Sequence, residues 1–232
     1  PIGIKAIELL YRLGYLVNFI DHAESGRAAI SKGILPFAKE CAITNFNIFK
    51  DKITARTPLI GIEPSAILAF TDEYPRLVND EDRNQARKLG MNCMIIEKFI
   101  YKEAMAGRIL PESFTTESKN IRVLAHCHQK SLSSSSFSVK VLEIPKNYKS
   151  EEIIAGCCGM AGSFGYEEEH YDISMKIGEL IVFPEVRKTD NNTIVAATGT
   201  SCRHQIKDGT ERDSFHPIEI LYDALIETTS SL

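Results

Sequence analysis

The sequence lacks what would place it on nucleic acid or through a membrane. Its 27 basic residues are outnumbered by 31 acidic ones, giving a formal net charge of −4, and no run of Lys and Arg is dense enough to follow a phosphate backbone. No nucleic acid partner is expected. No apolar stretch approaches the roughly 20 residues a membrane-crossing helix needs, and the opening PIGIKAIELL lacks the charged-then-apolar layout of a secretory signal. The first residue is Pro1 instead of methionine, which suggests a fragment of something longer whose upstream address is out of view. Cysteine is sparse and unevenly spaced, six in 232 residues, too few for a disulfide scaffold. A reducing, cytoplasmic setting with metal or redox thiols fits better, with membrane association only through partners.

What is present is an ordinary globular composition, 44% hydrophobic over 232 residues, enough for one large domain or two small ones. Ala6, Leu9, Leu10 and Leu13 recur at helical spacing with Gly14 as a stop. YLVNFI (15–20) then reads as a strand, ESGRAAISKG (24–33) as a loop entering a short helix, and the segment opened by Pro36 as a helix. PLIGIE (58–63) is a second strand. Residues 80–107 look helical and charged, with Ile95, Ile96, Phe99 and Ile100 as an apolar face, and 111–120 reads as a linker. After it, IRVLAH (121–126), SVKVLEI (138–144) and TIVAATG (193–199) read as strands. YEEEHYDISMKIGELI reads as a helix, and a closing helix begins at His216. SLSSSSFS between the first two of these strands reads as a mobile loop.

Strands alternating with helices predict an α/β fold with mostly parallel sheets flanked by helices. The pattern also repeats. Glu24-Ser25-Gly26-Arg27 occupies the place of Cys157-Cys158-Gly159-Met160, and GIEPSAIL follows its strand as ATGTSCRHQ follows the later one. This predicts two duplicated Rossmann-like halves: residues 1–110, with connecting helices and no sulfur ligands, and residues 111–232, which keep the cysteines.

Cys127, the doublet Cys157-Cys158 and Cys202 each lie in a turn after a predicted strand, or before a helix. In a parallel sheet such turns gather at the carboxyl ends of the strands, the usual place for ligands. Four thiols from three loops can therefore converge. Gly156, Gly159 and Gly162 suit close backbone approach to a bulky inorganic centre whose sulfides accept amide N–H groups, and a helix starting near Tyr166 would aim its positive end there. Zinc is the competing metal, with His126, His128 and His204 available to complete a tetrahedron, although adjacent cysteines strain one. A vicinal disulfide would leave Cys127 and Cys202 without a role. Cys41 and Cys93 sit in apolar surroundings and read as small buried hydrophobes. His22 and His170 read as surface residues, and Glu167–His170 as a solvated first turn.

GCCGMAGSFGYE, with HCHQKS upstream and TGTSCRHQI downstream, resembles the cysteine-rich CCG domain of the glycolate oxidase iron–sulfur subunit, heterodisulfide reductase and related Fe–S oxidoreductases. ESGRAAISKG, GIEPSAIL and DEYPRL resemble the C-terminal region of fused flavoproteins in which an FAD-linked 2-hydroxy-acid dehydrogenase precedes ferredoxin-like and CCG segments. The resemblance covers nearly the whole chain. It implies an iron–sulfur cluster, 4Fe–4S as the first expectation, on Cys127, Cys157, Cys158 and Cys202, with His126, His128 and His204 as supporting or substitute ligands. Its partners would be a flavin domain and a ferredoxin-like segment, with FAD bound only upstream of this chain. The pattern departs in one respect: the fullest CCG motif ends in CxxC, whereas Arg203, His204 and Gln205 follow Cys202, so a fifth thiol is missing. Ser25 and Ala66 stand where the first copy would carry cysteines, so no cluster is expected there.

Overall fold

A computed structural model describes residues 1–226 of the chain. It is α/β, with parallel sheets covered by helices. Helix α1 (Ile2–Arg12) buries Ala6, Leu9 and Leu10 and ends as Gly14 turns left-handed at φ 89°. Short α2 (Arg27–Ser31) leads to α3 (Leu35–Phe49), where Pro36 sits in the first turn and its missing N–H costs nothing. Strand β1 (Leu59–Gly61) enters α4 (Pro64–Ile67), followed by α5 (Tyr74–Leu77) and α6 (Arg83–Gly90). Strand β2 (Cys93–Ile95) pairs in parallel with β1, Leu59 opposite Cys93 and Gly61 opposite Ile95, and runs into α7 (Ile96–Met105).

The second sheet has the order β4-β3-β5, all parallel. Its central strand β3 (Lys119–Leu124) feeds α8 (Cys127–Leu132) and then α9 (Ser136–Val141). The edge strand β4 (Tyr148–Glu152) leads into the glycine-rich loop and α10 (Glu168–Leu180), with α11 (Val182–Lys188) after it. The other edge, β5 (Ile194–Ala197), feeds α12 (Thr200–Thr210), and α13 (Pro217–Ala224) closes the described chain. One apolar core joins α1 and α13 to β3 and α7. Another packs Phe183 of α11 with Leu124, Val195, Cys158 and Cys202, so the sulfur site has an apolar back wall.

Three expectations are corrected. Residues 15–20 form no strand: Leu16 and Phe19 point outward while Tyr15 and Val17 pack on the core. The alternation is real, but the segment has no ladder partner. Residues 138–144 are not a strand, because Ser138, Val141 and Leu142 are buried at i, i+3 and i+4, the helical period that builds α9. The strand lies further on, in polar YKSEE, whose alternating burial is that of an edge. Finally, residues 80–107 are broken by β2, fully buried and therefore without a polar face to reveal its period. The serine run is a turn between helices in which Ser135 Oγ donates to Glu152 (2.8 Å) and Ser134 and Ser136 share a hydrogen bond.

Candidate metal centre

Parallel strands β3, β4 and β5 end side by side, and the chain leaving each carries thiols. Cys127 is the first residue of α8, Cys157 and Cys158 lie in the loop after β4, and Cys202 lies in the first turn of α12. All four line one cavity together with His126, Gly156, Gly162 and Ser201. Cys127 is exposed, Cys157 half-buried, and Cys158 and Cys202 are buried, so the group runs from surface to core. The helix starts at the site that carry cysteines are those of α8 and α12.

The thiols form a chain of mutual contacts. Contacts with the thiols of Cys127 and Cys158, and then with backbone amides, hold Cys157 far below the ordinary thiol range against its burial. The same Cys157 contact, added to burial, pushes Cys127 up; contacts with Cys157 and Cys202, then burial, push Cys158 up. The Gly159 N–H lies 3.4 Å from Cys157 Sγ. Backbone donors thus aim at sulfur, as a thiolate-rich centre requires.

Polar side chains fix the loops. Lys130 of α8 donates to the carbonyls of Ala155 (2.5 Å) and Gly156 (2.7 Å), tying α8 to the doublet's loop. Arg203 donates to Ala197 O (2.9 Å) and Thr198 O (3.2 Å), tying α12 to β5. The His126 N–H donates to Thr198 Oγ1 (3.0 Å), whose hydroxyl donates to buried Gln129 Oε1 (3.0 Å). Of these, Lys130, Thr198 and Gln129 were not singled out in the sequence. The one readable signal was Glu63-Pro64-Ser65, a helix start with an acidic cap.

The histidines divide. His126 Nδ1 accepts from the His128 N–H (3.1 Å) as the cap of α8, so its proton is on Nε2, facing Glu63 Oε1 at 3.9 Å. Burial holds this imidazole below its usual range. His128 Nε2 lies 3.7 Å from Glu73 Oε1, outside the cavity lining, and Glu73 is also bound by Arg27. Burial of the Glu73 carboxyl is outweighed by His128 and Arg27, which keep it below the usual carboxylate range. His126, Cys127 and His128 nevertheless place one ligand atom each within 4.8 Å of one another. His204 points elsewhere, its Nδ1 at 2.7 Å from Tyr166 Oη.

Gln205 stands at the position of the missing fifth thiol. It is buried, and its Nε2 donates to Ser174 O and Ser174 Oγ, both at 3.0 Å. Gly159, at φ 108°, packs on the same place: an added Cβ would fall 2.2 Å from Ser174 O. Its substitution by alanine is expected to cost about 1–3 kcal/mol for the left-handed backbone and about 1–3 kcal/mol for the overlap, read as a lower denaturation midpoint. Cys41 and Cys93 are buried away from the cavity, Cys93 with its thiol donating to Leu89 O at 3.3 Å.

The proteins this chain resembles are dehydrogenases or parts of them. It is 28% identical over 222 residues to the D-2-hydroxyglutarate dehydrogenase of Pseudomonas putida, a match covering 95% of this chain and 20% of that one. It is 24% identical over 228 residues to one subunit of the anaerobic glycerol-3-phosphate dehydrogenase of Escherichia coli, covering 97% of this chain and 55% of that polypeptide. The chain thus spans a fifth to about half the length of these relatives. No family model matches the chain, and no solved structure does. No helix among the described residues is long and apolar enough to cross a membrane.

Proposed function

We propose that this chain is the iron–sulfur electron-transfer part of a flavin-linked dehydrogenase of the 2-hydroxy-acid type, with Cys127, Cys157, Cys158 and Cys202 holding the cluster. The observation that carries this reading is the convergence of these four thiols on one cavity from three parallel strand ends. The donor set fits a cluster: four sulfurs on one cavity, the Gly159 N–H aimed at Cys157, and an apolar wall behind Cys158 and Cys202. Gln205, spent on Ser174, leaves four thiols and favours a four-thiolate 4Fe–4S centre over a five-thiolate one. When bound, the cluster would accept and release one electron at a time. The chain's own part is to hold it between an exposed edge at Cys127 and a buried one at Cys202.

The flavin domain and a ferredoxin-like segment are the partners the family resemblance implies, and the longer relatives are named as dehydrogenases. The reading includes an internal duplication. Gly26 and Gly159 both take positive φ, and both press on a helix further along the chain, Gly26 against Cys41 of α3 and Gly159 against Ser174 of α10. Each pair is fifteen residues apart by its numbering, from 26 to 41 and from 159 to 174. Anaerobic reconstitution tests the proposal: about four irons and four sulfides per chain with an EPR signal on reduction are expected. Stoichiometric zinc without sulfide would overturn it in favour of a zinc-stabilised interaction module, and a Cys157–Cys158 disulfide found by mass spectrometry would favour thiol–disulfide chemistry.

A further inference from the structure

Each of the three segments that carry a thiol is touched by a residue from the first 110. The glycine-rich loop meets Ser31, whose Oγ lies 2.8 Å from where a Cβ on Gly162 would stand. The start of α8 meets two carboxylates, Glu63 facing His126 Nε2 at 3.9 Å and Glu73 facing His128 Nε2 at 3.7 Å. The start of α12 meets Glu63 again, whose Oε2 accepts the Thr200 N–H at 2.9 Å. Glu63 is itself fixed, because its Oε1 accepts from the Ser65 hydroxyl at 2.9 Å while the residue caps α4.

Thr200 is two residues before Cys202, and His126 is the residue before Cys127. The His126 ring also lies against Gly199, where an added Cβ would come 2.3 Å from His126 Cδ2 and 3.2 Å from Cys202 Sγ. One carboxylate therefore reaches the starts of both helices that present the outermost and innermost thiols. A charged acceptor on a first-turn N–H anchors that turn more firmly than water does.

We infer that residues 1–110, which carry none of the four site thiols, are a clamp for the thiol site, and that Glu63 is its positioning residue, setting the spacing of Cys127 and Cys202 through His126 and Thr200. This rests on the reading of the four cysteines as one site, whichever metal fills it. Its test therefore begins without metal.

In the whole chain under reducing conditions, alkylation of each cysteine by N-ethylmaleimide is followed by mass spectrometry. Glu63→Ala should accelerate modification of Cys202 by about tenfold or more, since the charged acceptor of Thr200 is lost, with Cys93 nearly unchanged and the thermal midpoint lowered only as far as the loss of one helix cap lowers it. Glu63→Gln, which keeps an acceptor for Thr200 but puts a donor towards the His126 N–H, should leave Cys202 slow and accelerate Cys127 instead. Unchanged Cys202 reactivity in Glu63→Ala, or equal acceleration of Cys93, overturns the clamp. Cobalt titration then separates the two ideas. Tetrahedral thiolate absorption weakened about ten- to hundredfold in Glu63→Ala supports positioning. Full alkylation differences with no iron, sulfide or cobalt bound even by the wild type would sink the metal reading while leaving the clamp standing.

Discussion

Cys158→Ser is expected to strip the chain of nearly all reconstituted iron and sulfide, by about tenfold or more against the wild type. Cys158 is the interior link of the thiol chain: it touches Cys157 on one side and Cys202 on the other, and it is 6% exposed. A serine there keeps the volume but presents a hydroxyl that stays protonated and is a hard ligand for iron. Neither neighbour can shift to replace it. Cys202 is held in the first turn of α12, and Cys157 is held by the Gly159 and Ala161 amides. Iron and sulfide per chain, with the EPR signal of the reduced protein, measure the loss. In a longer flavin-linked dehydrogenase of the proposed kind, the same substitution should abolish turnover with the physiological acceptor while flavin reduction by substrate continues. Turnover at the wild-type rate would show that electrons do not pass through this site, and that the chain only docks. Cys93→Ser is the control: it lies outside the cavity and should keep its iron.

How much of this was legible in the sequence depends on which physical signal each residue carries. The positions of Cys127 and Cys202 could be read because a turn after an apolar strand is marked by local residues, in VLAHC and ATGTSC, whereas the doublet's loop was marked by its glycines and the polar strand before it was not. Parallel pairing then brings such turns together without further information. Helices α1, α3, α10 and α13 were readable from period and punctuation, and His216 does cap α13, its Nδ1 accepting the Ile218 N–H at 3.1 Å. The misread elements were those whose periodicity fits two structures. VKVLEI alternates, yet its first half closes α9 and the rest is turn, and CMII is apolar throughout and so shows no period. Polar YKSEE gave no strand signal because one face of that edge lies in solvent.

The parts of the site that could not be read are those joined only by the fold. Glu63 and Thr200 are 137 residues apart, as are no two residues of any local motif, and their hydrogen bond exists because β1 and β5 deliver adjacent turns. Likewise a histidine beside a cysteine looks like a metal ligand in one dimension. In three dimensions His126 Nδ1 is already an acceptor for a backbone N–H, and His204 is turned to Tyr166. One ring nitrogen of each is thus engaged, while His126, Cys127 and His128 still keep one ligand atom each within 4.8 Å of one another.

Glu97→Gln is expected to change the pH dependence of stability more than any other single substitution away from the thiols. Glu97 lies in the first turn of α7, in what reads as a charged helix, yet it is 0% exposed and neither carboxyl oxygen has a hydrogen-bond partner. His216 Nε2 lies 3.6 Å from Glu97 Oε1, and its N–H is directed to Ile62 O at 3.2 Å. Burial first, and then the charge of Glu63, push Glu97 up to about 8 despite Arg203. Burial, and then Arg203, push His216 down to about 3. The pair is therefore neutral acid beside neutral imidazole near neutrality, and not an ion pair.

The signs follow from linkage. Glu97 is raised in the folded state, so its contribution is whole below the ordinary value of 4.5 and is lost as pH rises through about 8. His216 is lowered, so its contribution is whole above 6.5 and is lost as pH falls through about 3. Between 4.5 and 6.5 the two slopes oppose each other, and above 6.5 the loss from Glu97 runs alone. Replacing the acid by an amide removes that loss, at a pH-independent cost of about 1–3 kcal/mol for burying an unpartnered amide. Between about pH 5 and about pH 8.5, chemical denaturation should thus show the stability difference moving towards the variant by on the order of 3 kcal/mol. A difference that stays flat across that range would mean that Glu97 is ionised in the folded chain, and that an undetected partner for the carboxylate lies between the two sheets.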